Sequence, residues 1–118
     1  MQVQAITKNI NMSAQKMREV VRQIQGMDAL SAEAVLAVVP RKSARVVAKT
    51  LKSAIANAED QARTRKNGQF KKENLRVLSA VAGTASTAGR KRFIPKARGS
   101  AGPIIKRTCH IKIVLSDE

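Results

Sequence analysis

The chain has 118 residues, about one domain, and carries 23 Lys and Arg against 8 Asp and Glu, for a net charge of +15. It lacks the run of roughly 18 apolar residues that a membrane span needs, and we expect no signal peptide because Met1 leads into polar alternation. One Cys and one His exclude an internal disulfide and a zinc site. Because 43% of the residues are hydrophobic, we expect a folded cytoplasmic domain that binds a polyanion and needs no metal or cofactor.

The first quarter of the chain predicts a strand followed by a helix. Weak apolar alternation predicts the strand over residues 2–10. Ser13 is a suitable helix N-cap because its hydroxyl can accept a hydrogen bond from a first-turn N–H. Apolar residues then recur at helical spacing, and Gly26 can end the helix in the left-handed conformation.

Two more helices are predicted before the middle of the chain. Asp28 can cap a short helix that closes at Pro40. A long alanine-rich apolar stripe predicts a third helix that starts near Arg41. On the side away from this stripe, cations repeat at helical spacing: Arg45, Lys49 and Lys52. Residues 61–73 are basic, contain an Asn-Gly turn signal and predict a loop.

The second half of the chain predicts two strands. The first covers residues 75–82, with Leu75, Val77 and Val81 alternating on one face. The second covers residues 104–115. The order of elements therefore predicts an α+β fold.

Positive charge is concentrated in this second half. Residues 61–118 have a net charge of +11, compared with +4 for residues 1–60. No acidic residue lies between Asn74 and Ser116, although that stretch contains nine Lys and Arg. Such a surface repels itself, so we expect a polyanionic partner to relieve the repulsion.

The connection between the last two strands, residues 83–102, is either a loop or a thin two-stranded ribbon. A free ribbon is marginal in water, so we expect a partner to order it. Five cations in or beside it can meet phosphates: Arg90, Lys91, Arg92, Lys96 and Arg98. With two Phe in the whole chain, base stacking is disfavoured, and backbone and shape recognition of a folded RNA is favoured.

Several ordered motifs resemble one known family. They are the S-x-x-K-x-R helix start at Ser13–Arg18, the helix segment Leu51–Glu59, Lys91–Phe93 with Pro95–Gly99, and Lys106–Ile111. Together they span nearly the whole chain, which resembles large-subunit ribosomal protein twenty-two in its bacterial form. The chain departs from the family pattern in residues 83–89, which lack the usual acidic pair and Gly-Pro, and at Ser100, where Arg is usual.

The resemblance implies three helices packed on a small three-stranded antiparallel sheet, with a long protruding β-hairpin. It implies one RNA-binding domain over residues 1–118, with a body of about 1–82 and 103–118 and a hairpin tip of about 83–102. The implied function is that of a non-enzymatic structural constituent of the large ribosomal subunit. It would bind large-subunit ribosomal RNA, support its assembly and line the nascent-peptide exit tunnel. The implied partners are this RNA, neighbouring ribosomal proteins and the nascent polypeptide, with the chain a monomer in the ribosome and away from membranes.

Charge and resemblance together give the predicted site residues. The predicted RNA-binding residues are Lys8, Lys16, Arg18, Arg22, Arg41, Lys42, Arg90, Lys91, Arg92, Lys96, Arg98, Lys106, Arg107 and Thr108. The predicted tunnel-lining residues are Arg90, Lys91, Arg92, Phe93, Ile94 and Pro95. No catalytic or metal-binding residue is predicted.

Three rival functions are weaker. A basic architectural DNA-binding protein is the main alternative, with an arm that inserts Pro95 beside its arginines. An enzyme is disfavoured because Cys109 and His110 are neighbours in a strand and point to opposite faces. A membrane-active cationic segment would need a broad apolar face, which the basic tip lacks.

Overall fold

We analysed a computed structural model of the chain, which describes residues 1–65 and 70–117. Within these ranges it contains three α-helices and five β-strands. In chain order they are β1 (Gln2–Ile10), α1 (Ala14–Ile24), α2 (Ala29–Val38), α3 (Lys42–Thr64), β2 (Arg76–Thr84), β3 (Lys91–Pro95), β4 (Ala101–Ile105) and β5 (Cys109–Ser116). Two short 3-10 turns lie at Lys72–Asn74 and Ala97–Gly99.

The strands form two antiparallel sheets. One has three strands in the order β1-β5-β2, and the other is the pair β3-β4. The three helices lie against the three-stranded sheet, so the predicted α+β class and this core architecture are confirmed. The chain measures 70 × 28 × 16 Å along its principal axes, which is elongated for its length.

The hydrophobic core lies between the inner face of this sheet and the helices. Strand β5 contributes four alternating side chains that are fully buried: Cys109, Ile111, Ile113 and Leu115. Met17 and Ile24 of α1 and Leu51 of α3 meet them from the helical side and are equally buried. Full burial of each large aliphatic side chain contributes about 1.5–3 kcal/mol, so these residues fix the position of the sheet against the helices.

The predicted helix boundaries hold for α1 and partly for α2. Ser13 Oγ accepts a hydrogen bond from the Lys16 N–H at 3.5 Å, and Gly26 follows the helix with φ +77°. Asp28 occupies the N-cap position of α2 but makes no side-chain capping bond. Its carboxylate lies 3.2 Å from the Nε of Arg76, because β2 runs beside the start of this helix.

The predicted loop over residues 61–73 is wrong at its start, because α3 continues to Thr64. Ala62 is buried and extends the apolar stripe by one more turn, which stabilises this end of the helix. The Thr64 hydroxyl donates to the carbonyl of Asp60 at 3.0 Å. The predicted Asn67-Gly68 turn lies outside the described residues.

The predicted faces of β2 are also wrong. A β-bulge between Val77 and Ser79 shifts the register against β5. Val77 is 1% exposed, but Val81 is 51% exposed on the opposite face, where Leu78 is exposed too. A bulge adds one residue to a strand and reverses the alternation beyond it. Ala80 therefore takes the inward position that simple alternation gives to Val81.

The predicted strand over residues 104–115 is two strands. β4 pairs with β3, and β5 pairs with β1 and β2, with Lys106–Thr108 between them. The interruption falls where the chain passes from one sheet to the other. An apolar run alone cannot show this change of pairing partner.

The bulge generates a test with two matched substitutions. Val77→Ala should lower the free energy of unfolding by about 2 kcal/mol, because it removes buried methyl groups and leaves a cavity. Val81→Ala removes the same atoms from an exposed position and should change stability by less than about 0.5 kcal/mol. Denaturant unfolding of both variants measures the difference, and equal losses would contradict the register described here.

Candidate nucleic-acid interface

A cleft of about 510 Å³ opens where the starts of α1 and α3 meet the chain that flanks β3 and β4. Among the described residues, five cations and no carboxylate line it: Lys16, Lys42, Arg90, Lys106 and Arg107. Neutral groups from the turn before α1, including Asn11 and Ser13, complete the wall. Unneutralised charge in a concave site attracts anions, so the cleft is suited to bind phosphate groups.

Two helix N-termini add to the positive potential of this cleft. Lys16 lies in the first turn of α1, and Lys42 is the first residue of α3. Arg41, at the N-cap of α3, provides no side-chain acceptor for the first N–H groups of that helix. The N-terminal end of a helix carries partial positive charge, and uncapped N–H groups leave that charge available to an anion.

A hydrogen bond holds Arg90 in the cleft wall. Its Nη1 donates to the Oδ1 of Asn11 at 2.7 Å, and its backbone N–H donates to the carbonyl of Thr87 at 3.0 Å. Asn11 is neutral, so this contact orients the guanidinium without removing its charge. The other guanidinium N–H groups can still donate to a bound anion.

Residues 85–108 form a hairpin segment that leaves the three-stranded sheet and returns to it. β3 and β4 pair over five positions, from Lys91 with Ile105 to Pro95 with Ala101. Every residue of β3 is exposed. At the turn between the strands, Arg98 has φ 59° and is followed by a glycine, also at positive φ. The turn is closed by the Lys96 N–H, which donates to the Ser100 carbonyl at 2.7 Å.

Three other predicted RNA-binding residues differ in their surroundings. Lys8 on β1 and Arg22 on α1 are exposed. Arg41 forms an ion pair with Glu19, which offsets part of its charge. Arg41 directly precedes Lys42, which lines the cleft.

Two predicted RNA-binding residues make bonds inside the protein. The Nε of Arg18 donates to the carbonyl of Ala82 at 3.0 Å. Thr108 is 2% exposed, and its hydroxyl donates to the carbonyl of Ser86 at 3.2 Å. We therefore leave the buried Thr108 out of the proposed interface. Arg18 is exposed, and its role in RNA binding stays a prediction.

A second basic groove was not among the predicted sites. Arg45 and Lys49 of α3 line a groove of about 430 Å³ with Thr7 of β1. The sequence feature that indicates this groove is the helical repeat of cations on α3, on the side away from its apolar stripe. A larger groove of about 620 Å³ between α2 and α3 has mixed charge, because Glu33 lies 3.8 Å from Lys52 within it.

Cys109 and His110 form no reactive pair. Cys109 is fully buried, and burial raises the pKa of its thiol. His110 is half-buried, and its Nδ1 accepts the backbone N–H of Asn9 at 3.0 Å. Across residues 1–65 and 70–117, the structure brings together no group of three His, Cys, Asp or Glu side chains that could hold a metal ion.

Residues 5–116 match the family model for ribosomal protein L22p/L17e. The chain belongs to the ribosomal protein L22p/L17e family. This match covers the three-stranded sheet, all three helices and the hairpin segment. It identifies the chain as a structural ribosomal protein and not as an enzyme.

Curated L22p/L17e relatives match over nearly their full length. A protein of Opitutus terrae named large ribosomal subunit protein uL22 is 47% identical, over 99% of this chain and 96% of its own. Proteins with the same name from Akkermansia muciniphila and Methylacidiphilum infernorum are 41% and 47% identical, over 98% and 96% of their lengths and 100% of this chain. In the described part of this L22p/L17e chain, no helix is long and apolar enough to cross a bilayer.

The salt dependence of RNA binding tests whether the cleft contacts phosphates. Lys42→Gln with Lys106→Gln should reduce the slope of log K against log salt for ribosomal RNA by about 1–2, since each lost phosphate contact contributes about 0.7–0.9. The matched control is Arg63→Gln with Lys112→Gln, which removes the same charge outside the cleft. Binding titrations over a range of salt concentrations measure the slopes. Equal reductions in both double variants would show that the cleft has no special part in binding.

The buried thiol generates a pH prediction. Because the pKa of Cys109 is raised in the folded state, ionisation of the thiol favours unfolding once the pH rises through its ordinary value of 9.0. The stability advantage of the natural chain over Cys109→Ala should therefore be constant below that pH and decrease above it. Urea unfolding at several pH values measures it, with Val77→Ala as a control whose difference is independent of pH.

Proposed function

We propose that this chain binds large-subunit ribosomal RNA through the cationic cleft and extends its hairpin segment to the wall of the nascent-peptide exit tunnel. The observation that carries this proposal is the cleft, lined by five cations and no carboxylate of the described chain. An anionic polymer with regularly spaced charges fits such a site better than a small anion does, because the cations extend onto the hairpin segment.

Family membership supplies the wider setting. The chain is a structural constituent of the large ribosomal subunit and acts in translation, in the cytoplasm, as part of the ribosome. It binds ribosomal RNA and lies among other ribosomal proteins. The proposal adds which of its surfaces make these contacts and where the hairpin segment goes.

The hairpin segment has the chemistry of a strand pair enclosed by RNA. Successive residues of a strand point to opposite faces, so Lys91 and Arg92 place positive charge on both faces of the ribbon. Phe93 and Ile94 likewise expose apolar side chains on both faces. A two-stranded ribbon without a buried face has little stability of its own. Phosphates on both sides would supply the missing stabilisation, which favours a position inside a channel over one on a flat RNA surface.

The tunnel-lining residues are proposed to be those of β3 with Arg90. Phe93 is 69% exposed, and no other residue of the described chain presents an aromatic side chain so openly. An exposed apolar ring among cations is poorly matched to phosphates but can contact the side chains of a passing polypeptide. We therefore propose Lys91, Arg92, Lys96 and Arg98 as RNA contacts and Phe93 as the side chain that faces the tunnel. Its neighbour Ile94 lies on the other face of the ribbon.

The domain organisation follows the pairing of the strands. We propose a single domain over residues 1–118, with a body of 1–84 and 109–118. Residues 103–105 pair with β3 and so belong to the hairpin segment in this proposal. The prediction from the sequence placed them in the body. The hairpin segment then runs from residue 85 to residue 108.

Charge reversal in the full-length chain tests this function. Arg92→Glu with Arg98→Glu should lower incorporation into reconstituted large subunits by about tenfold, because two phosphate contacts become repulsive. The control, Arg63→Glu with Arg65→Glu at the far end of α3, should incorporate nearly as well as the natural chain. Quantitative mass spectrometry of purified subunits measures incorporation. Equal incorporation of both double variants would defeat the proposed role of the hairpin segment.

A photo-crosslinking amino acid at Phe93 tests the tunnel position separately. In ribosomes stalled with a radiolabelled nascent chain, it should crosslink to that chain. The same amino acid at Val38, an exposed position at the end of α2, is the control and should not. Crosslinks to RNA alone from position 93 would place the tip against the RNA wall instead of the tunnel.

A further inference from the structure

The free edge of β2 is closed by side chains and backbone of the α1 region. Gln25 Nε2 donates to the carbonyl of Ala80, and Arg18 Nε donates to the carbonyl of Ala82 at 3.0 Å. Further along the same edge, the Gly26 N–H donates to the Val77 carbonyl at 2.9 Å. Edge carbonyls are open to pairing with another chain, so these bonds protect the edge of the sheet.

The bond from Arg18 covers the edge of β2 close to the start of the hairpin segment. Ala82 lies on β2, three residues before the hairpin segment begins. The bond therefore ties helix α1 to the end of β2 that leads into the hairpin segment. A guanidinium bonded to a backbone carbonyl is a charge-assisted contact, stronger than a bond between neutral groups.

Three further bonds hold the base of the hairpin segment: two join its own two ends, and one joins it to the body. On the β5 side, the Thr108 hydroxyl donates to the Ser86 carbonyl at 3.2 Å, and the Ala85 N–H donates to the Thr108 carbonyl at 3.1 Å. On the α1 side, Asn11 accepts from Arg90 at 2.7 Å. The two ends of the segment are thus held together, Arg90 is tied to the turn before α1, and the strand that leads into the segment is tied to α1.

We propose that Arg18, Thr108 and Asn11 are positioning residues that fix the direction in which the hairpin segment leaves the body. This rests on the proposed function, because the direction matters when the segment has to enter a channel in folded RNA. A small rotation at the base becomes a larger displacement at the tip of the hairpin segment. Fixing the base in the free protein also reduces the conformational freedom that is lost on binding.

Distance measurements between two spin labels test the proposal in the free, full-length protein. The labels are attached through Ala56→Cys on α3 and Ala97→Cys at the tip, both at exposed positions. Cys109 is buried, so it stays in place and remains unlabelled. The variants are Arg18→Met, Thr108→Val and Asn11→Ala. Arg22→Met is the matched control, because it removes the same charge one helical turn further along α1.

The natural protein should show one main distance. In each of the three variants, the fraction of molecules outside this peak should rise about fivefold, as expected from the loss of one hydrogen bond. Arg22→Met should match the natural protein. A broad distribution in the natural protein, or equal distributions in Arg18→Met and Arg22→Met, would overturn the proposal.

A second readout separates positioning from RNA contact. If Arg18 positions the hairpin segment, Arg18→Met leaves the salt slope for ribosomal RNA unchanged while it weakens binding. A phosphate contact would lower the slope by about 0.7–0.9, and this result would return Arg18 to the RNA interface. The distance measurement contains no RNA, so failure of the incorporation test above would overturn the proposed function and leave the positioning role standing.

Discussion

The central strand β5 is the constraint on which the rest of the fold depends. It must be hydrogen-bonded along both edges and buried on the face that carries Cys109, Ile111, Ile113 and Leu115. β1 and β2 supply the two edges, and the three helices cover the face. The hairpin segment enters β5 directly, so the change from full exposure to full burial takes place within the few residues before Cys109. Any partner that moves the hairpin segment therefore acts on the best-packed strand of the body.

The distribution of ion pairs explains why the unpaired positive charge is concentrated in the cleft and the hairpin segment, although the whole chain is basic. Most carboxylates of the body are used in pairs on its surface: Glu19 with Arg41, Asp28 with Arg76, Glu33 with Lys52 and Glu59 with Lys72. These pairs are exposed and add little stability. Their effect is to lower the positive potential of the helical surface, while the cleft and the hairpin segment keep theirs. The field of the protein is thereby concentrated where we propose that RNA binds.

The parts of this structure that depend on local spacing could be predicted from the sequence. Ser13 and the apolar periodicity after it locate α1, and the basic run after residue 89 locates the cations of the hairpin segment. The bulge at Val77 could not be predicted, because it depends on the register that β5 imposes on β2. The bond between Asn11 and Arg90 could not be predicted from the sequence either, because it joins residues 79 positions apart. The bond from Arg18 to the Ala82 carbonyl shows a further limit, because a motif identifies a residue without showing which way its side chain points.

The strand order β1-β5-β2 has a consequence for the timing of folding. The first strand to be synthesised has no partner in the sheet until β5 has been made, because β2 does not pair with it. Helices α1 and α3 can form from local contacts much earlier, but the sheet on which they pack cannot close. A newly made chain therefore exposes its cationic hairpin segment before β5 completes the sheet of the body.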